Sequence, residues 1–311
     1  MPVCGWENME REKIIINDVG PRDGLQNQAK VLSVDERLQL IHALLRAGLT
    51  HIEIGAFVSP KAVPAMAGTD ELAQCLLPGK EHLSALIPNR RGYDLAHASG
   101  VRTMGLVVAA SETMNQRNIR MGTEDALAVS REVIAQGRAD GNRVLAYVAT
   151  AWECPFEGAV SADAVHRVCD DLLAAGATEI VLADTIGAAS PDQVRRLLPP
   201  LIAEYGVERL SCHFHDTRGM GVADVYAAVE CGIRKFDASV GGLGGCPFAP
   251  GATGNVATED VVVMLRQMGF DTGVDLAALL DAVDLVIALT GNCEGGRAIN
   301  WIRRQREKGL L

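Results

Sequence analysis

The run Cys212-His213-Phe214-His215-Asp216 places two imidazoles two residues apart. In a strand, that spacing puts His213 and His215 on one face and Phe214 on the other. A lone strand histidine is usually a hydrogen-bonded structural residue, whereas a pair converging from a strand end points to metal ligation. Asp23, just beyond a first predicted strand, can add a carboxylate, and Asn255, just beyond an eighth, an amide oxygen. One carboxylate, two imidazoles, an amide oxygen and water suit Mg2+ or Mn2+ and also accommodate Zn2+ or Co2+. The alternative is that Asp23 caps a turn and Asn255 caps the helix after it.

Glu53 falls inside a predicted strand, where a buried acid needs a partner. Arg22 is the candidate, either in a structural salt bridge or in an active-site pair that binds and polarises a carbonyl. Asp184, at another strand end, faces the same choice, and its position favours function. The stretch Gly241-Gly242-Leu243-Gly244-Gly245-Cys246-Pro247, followed by Gly251 and Gly254, is more permissive than a strand-to-helix connection requires. It reads as an active-site loop carrying Cys246 as proton donor or nucleophile, with a buried inert thiol as the alternative. No Cys-x-x-Cys pair occurs among the 8 cysteines, which are read as reduced thiols.

Such residues need a scaffold that brings distant segments to one mouth. Strands are expected at 14–19, 51–56, 82–87, 103–109, 143–150, 179–185, 210–216 and 235–241. Each precedes a helical stretch: 34–47, 69–76, 91–98, 124–138, 162–175, 191–205, 222–231 and 258–268. Ser33, Ser161 and Ser190-Pro191 supply helix starts. Eight such pairs without a composition break make a closed (β/α)8 TIM barrel. An open doubly wound sheet would want a glycine fingerprint where this chain has Gly20-Pro21-Arg22-Asp23-Gly24. A further helix at 275–289 belongs to a C-terminal extension, giving a catalytic barrel at 14–270 and a helical extension at 271–311. In a barrel, polar residues at the C-terminal strand ends share one mouth.

The composition agrees with small-molecule chemistry. With 311 residues, 48% hydrophobic and 22% charged, the chain has a large core and is not disordered. A net charge of -10, with the only dense basic tract at Arg303-Arg304-Gln305-Arg306, argues against nucleic-acid or anionic-membrane partners. The start shows no apolar run behind a basic cluster, and no long apolar stretch follows, so the expected compartment is cytoplasmic.

Several segments together resemble the 3-hydroxy-3-methylglutaryl-CoA lyase family. They are Asp18-Val19-Gly20-Pro21-Arg22-Asp23-Gly24-Leu25-Gln26-Asn27, Phe57-Val58-Ser59-Pro60-Lys61, Cys154-Pro155-Phe156-Glu157-Gly158, Ala183-Asp184-Thr185-Ile186-Gly187 and His213-Phe214-His215-Asp216-Thr217. The run from Ser239 through Gly244-Gly245-Cys246-Pro247-Phe248 to Gly254-Asn255-Val256-Ala257-Thr258-Glu259-Asp260 completes them. Within the resemblance, Asp23, His213, His215 and Asn255 match the family's divalent-metal ligands. Arg22, Glu53, Asp184 and Cys246 match its catalytic and substrate-positioning residues. The resemblance implies retro-Claisen cleavage of a 3-hydroxy-3-methylglutaryl-CoA-type acyl-CoA to acetyl-CoA and acetoacetate. Asp184 or His213 would accept the hydroxyl proton, Arg22 oriented by Glu53 would meet the enolate oxygen, and Cys246 would protonate the carbon. A homodimer and a place in leucine catabolism are further implications.

Two places depart from the family pattern, Ile54-Gly55-Ala56 after Glu53 and Trp152-Glu153 before Cys154-Pro155. They put the acyl group, not the reaction class, in question. A synthase condensing acetyl-CoA with a 2-oxo acid would share the barrel, the Arg-Asp pair and the His-x-His, but would continue into a long C-terminal region. A catalytically dead barrel is disfavoured by the full ligand set together with Cys246.

Overall fold

A computed structural model of the chain describes residues 11–76, 82–245 and 254–311. The strands are β1 (Ile15–Asp18), β2 (His51–Ala56), β3 (Leu83–Leu86), β4 (Thr103–Ala109), β5 (Arg143–Ala149), a short hairpin of β6 (Glu153–Cys154) and β7 (Gly158–Ala159), β8 (Glu179–Asp184), β9 (Leu210–Phe214) and β10 (Lys235–Ala238). All but the hairpin form one parallel sheet, and it closes because β1 pairs with both β2 and β10. The predicted (β/α)8 barrel is therefore the observed fold.

The helices are α1 (Val34–Arg46), α2 (Thr69–Leu76), α3 (Arg90–Ala98), α4 (Glu112–Ile119), α5 (Thr123–Ala139), α6 (Ala162–Ala175), α7 (Pro191–Tyr205), α8 (Gly221–Glu230), α9 (Thr258–Gln267), α10 (Leu276–Thr290) and α11 (Ile299–Glu307). Ser33 and Ser190 each close a capping box, with Glu36 and Gln193, so two sequence-predicted helix starts are confirmed in detail. Strand residues such as Ile52, Met104, Val148 and Leu182 are buried against this helical ring, as expected for a parallel sheet covered on both faces. No helix of the described residues is long and apolar enough to cross a membrane.

Three elements lack a strong sequence signal: α4, the β6–β7 hairpin and α11. Each is short, and short elements are set by their tertiary neighbours more than by their own periodicity. Strand ends also shift. The first strand stops at Asp18, whose fully buried carboxylate accepts from Gly20 N at 2.9 Å and Thr258 Oγ1 at 2.8 Å. Residues Gly20–Gly24 then make a single π-helical turn, with Gly24 N donating to Val19 O at 3.2 Å. Such wide turns are rare and favour functional positions. This one turns Arg22 into the protein, where it is 7% exposed.

The glycine-rich segment is explained by close approach as much as by freedom. A Cβ on Gly254 would lie 1.8 Å from the carbonyl oxygen of Gly242, so the two flanks of 246–253 meet at the van der Waals limit. Gly241, at φ 68°, lies against Cys293, whose Sγ would be 2.6 Å from an added Cβ.

One buried acid stands outside these arrangements. Asp224 on α8 is 1% exposed, and neither carboxylate oxygen has a hydrogen-bond partner among the described residues. Burial, then the nearby charges of Asp184 and Asp216, push it up to about 7. A carboxyl raised in the folded state stabilises fully only below its unfolded pKa, and that contribution is lost as pH rises towards its folded value. Asp224→Asn should therefore match the parent near pH 4 and be more stable at pH 8, by on the order of 2–4 kcal/mol. Thermal unfolding of both proteins across that range reads the difference, and parallel curves would contradict it.

Candidate active site

The π turn and the ends of β2, β9 and β10 bring the predicted site residues together. Asp23, His213 and His215 each offer a ligand atom, and these atoms lie within 4.8 Å of one another. His215 Nε2 is 3.8 Å from Asp23 Oδ2, and the two imidazole centroids are 5.1 Å apart. Asn255 joins them: its Nδ2 donates to Asp23 Oδ2 at 2.8 Å and to Leu243 O at 3.0 Å. With both amide hydrogens committed, its Oδ1 is buried and without a partner among the described residues. A carboxylate, two imidazoles and an orphaned amide oxygen are the donor set of a divalent cation. The capping alternatives do not hold, since α9 is capped at Ala257 and Asp23 faces Arg22 and Asn255.

The backbone fixes this constellation. His215 and Asn255 form an antiparallel bridge, with Val256 N donating to Phe214 O at 3.0 Å and Asp216 N to Gly254 O at 3.0 Å. Arg22 ties the triad to β2: Nη1 reaches Asp23 Oδ1 at 2.6 Å and Nε reaches Glu53 Oε2 at 2.5 Å. A register shift between Glu53 and Gly55 kinks β2 at that point, as bulges beside active sites do. Burial pushes Glu53 up, to about 7, against the opposing pull of Arg22. Burial also opposes the Asp23 charge, but Arg22 and both histidines outweigh it and hold Asp23 at about 2.

With this geometry in view, the chain can be set beside known proteins. The family profile described as HMGL-like matches residues 13–286. The chain belongs to the HMGL-like family. It is 44% identical over 289 residues to a hydroxymethylglutaryl-CoA lyase from Pseudomonas mevalonii, covering 92% of this chain and 96% of that one. It is 42% identical over 291 residues to an (R)-citramalyl-CoA lyase from Chloroflexus aurantiacus, covering 90% and 92%. A solved HMG-CoA lyase from Acenitobacter baumannii, in complex with coenzyme A and 3-methylmalate, superposes with a TM-score of 0.88 at 38% identity, over 93% of this chain and 94% of that one. This HMGL-like protein is accordingly a lyase.

Asp184 is not among the clustered ligand atoms. It ends β8, paired in register with Phe214 and one residue beyond the partner of His213, whose charge acts on it. Its oxygens accept from Ala188 N at 2.9 Å and Ala189 N at 3.0 Å, and burial raises its pKa. Cys246 lies outside the described residues. The second departure also finds its place: Trp152 packs on Phe214 with ring centroids 5.3 Å apart, and Glu153 pairs with Arg218 at 3.0 Å.

Asp237 on β10 is the residue that sequence reasoning missed. Its Oδ2 lies 3.0 Å from His213 Nδ1, and its Oδ1 accepts from Asn17 Nδ2 at 2.8 Å. Burial opposes a charge on His213, but Asp237 reverses this and raises its pKa. A carboxylate on one imidazole nitrogen turns the other towards a ligand and fixes its tautomer. The signal was present, because Asp237 is an acid inside a strand, as Glu53 is, but its partner lies on a different strand. As a positioning residue, Asp237→Asn should weaken Mn2+ binding about 10–100-fold, as measured by calorimetric titration. Unchanged affinity would remove Asp237 from the site.

Proposed function

We propose that this lyase cleaves a 3-hydroxy-3-methylglutaryl-CoA-type thioester, in a divalent-metal-dependent retro-Claisen step, to acetyl-CoA and acetoacetate. The observation that carries the reading is Arg22, which joins the Asp23–His213–His215 cluster to Glu53 in one buried network. Asp23, His213, His215 and Asn255 would hold the ion, Mg2+ or Mn2+ by the hardness of the oxygen donors. When bound, a divalent cation supplies positive charge that stabilises the developing alkoxide of the tertiary hydroxyl.

The remaining steps fall to side chains. Arg22 has two nitrogens held by Glu53 and Asp23, which aims the rest of the guanidinium at a thioester oxygen that becomes negative as the enolate forms. Cys246 returns the proton to the enolate carbon. Asp184 and His213 are the two candidate acceptors of the hydroxyl proton, and because His213 Nε2 would be committed to the ion, the role falls to the Asp184 carboxylate. Asp184→Asn tests it: a general base lost there lowers kcat by about 10²–10⁴, whereas an Asp184 that only holds the 188–189 turn leaves turnover within about tenfold and lowers the melting temperature.

The (R)-citramalyl-CoA lyase relative and the 3-methylmalate complex support a second reading, the same cleavage on a citramalyl-CoA thioester. Acetyl-CoA release from both thioesters, assayed with Mg2+ or Mn2+, decides. Failure of folded, metal-loaded protein on both would overturn the lyase proposal itself.

A further inference from the structure

The segment Ile54-Gly55-Ala56, the first of the two departures, lies against a buried cation. Arg37 on α1 is 1% exposed, and burial alone shifts its pKa, down to about 10, with no described acid near enough to oppose it. Its donors meet neutral oxygens instead: Nη1 reaches Ala67 O at 2.9 Å, and Nη2 reaches Ile54 O at 3.0 Å and Thr69 Oγ1 at 3.4 Å. Nε is buried and without a partner among the described residues. A guanidinium buried without a counter-charge is costly, and an apolar side chain would fill the same place without that cost. What the arginine adds is the set of bonds it makes.

Those bonds converge on the bulge in β2. Register with β3 runs from Glu53 opposite Ser84 to Gly55 opposite Ala85, so Ile54 is the residue skipped, and Ile54 is the one whose carbonyl Arg37 holds. Strand alternation would face Gly55 into the barrel beside Glu53. Instead, a Cβ on Gly55 would lie 2.5 Å from Thr69 Oγ1 and 2.6 Å from Arg37 Nη2, which belong to α2 and α1. The bulge thus turns the strand over directly after Glu53, and Arg37 takes the space that a side chain at 55 would need. Glycine is required there by that close approach. The bonds to Ala67 and Thr69 fasten the end of the 57–68 connection to the same point.

Glu53 is the last residue before the strand turns over, and its Oε2 holds Arg22 Nε at 2.5 Å. The aim of the Arg22 guanidinium therefore depends on where β2 is kinked, and a bulge whose skipped residue is not held can slip in register. We infer that Arg37 is a positioning residue for the reaction: by pinning the Ile54 carbonyl it fixes the β2 bulge, and through the bulge the Glu53–Arg22 pair. Arg37 itself stays in the helical layer outside the barrel. This rests on the lyase reading and adds to it a residue that acts from behind the site.

The test uses the metal-loaded protein and whichever of the two thioesters it cleaves faster. Arg37→Met, which removes the donors and leaves the site's own side chains in place, should lower kcat by about 10²-fold and change KM by less than about threefold. Adding Glu53→Gln to it should give the kcat of Glu53→Gln alone, within about threefold, because the two act through one another. Arg37→Lys, which keeps the charge but cannot hold Ile54 and Ala67 together, carries the same comparison if Arg37→Met does not fold. Thr69→Val leaves the Ile54 bond intact, so it should lower the melting temperature with kcat within about twofold. A lower melting temperature with unchanged kcat in the Arg37 variants overturns the inference, as do losses that multiply in the double variant. An equal loss of kcat in Thr69→Val also overturns it, by assigning the effect to the 57–68 connection. A crystal structure of the folded variant reads the same point without turnover: Glu53 Oε2 should part from Arg22 Nε, and an undisturbed 2.5 Å contact contradicts the inference. No turnover of either thioester by the parent protein is the separate failure of the lyase reading.

Discussion

Arg22→Lys should lower kcat by about 10²–10³ with a smaller change in KM, because the interaction lost is one made with charge that develops only in the transition state. Lysine keeps the positive charge but not the fork. Arg22 meets Glu53 through Nε and Asp23 through Nη1 at the same time, both inside the protein, and a single ammonium cannot hold both carboxylates while presenting a further donor. Arg22→Met should cost as much activity and in addition destabilise the fold by about 3–5 kcal/mol, since Glu53 would be left buried and unpaired. Adding Glu53→Gln to Arg22→Met should restore most of the lost stability without restoring turnover. That separation of melting temperature from kcat is the decisive readout. A double variant recovering both would mean the pair only supports the fold.

The second large effect is expected at the ligand cluster. His215→Ala should abolish stoichiometric Mn2+ binding at micromolar metal and lower kcat by about 10³, the scale of charge stabilisation that a Lewis acid supplies. The fold should survive, because the His215–Asn255 bridge is made by backbone groups that alanine retains. Asn255→Ala tests the same geometry more gently. It removes an orphaned oxygen and also the hydrogen bonds to Asp23 and Leu243, so metal affinity and stability should both fall. Metal content by elemental analysis, beside circular dichroism, distinguishes the cases. Full occupancy in His215→Ala would contradict the assignment.

What could be read from the chain depended on range. The barrel was legible because each strand and helix advertises itself locally, and counting them sufficed. Asp23, His213, His215 and Asn255 were legible because strand ends in a barrel share one mouth, which converts sequence position into proximity. Asp237 was not singled out, since its role follows from β10 lying beside β9 with Asp237 opposite His213, a matter of register rather than composition. Asp184 was legible from its strand-end position, but its hydrogen bonds to the amides of Ala188 and Ala189 belong to the turn that follows and were not. The glycines near 241–254 were read as freedom. Their described members are held by contacts with Cys293 and with one another, which no local pattern reveals.

The base of that glycine turn is held from behind by the far end of the chain. Glu259 accepts from Gly241 N at 3.1 Å and from Gly296 N at 2.6 Å, while Asp260 receives the amides of Arg297 and Ala298 at the start of α11. During synthesis, then, the barrel can close once β10 has emerged, yet the turn after β10 acquires its support only when residues near 296–298 have left the ribosome. A nascent or truncated chain that stops after α9 would present a closed sheet and every proposed metal ligand, but an unbraced wall beside them.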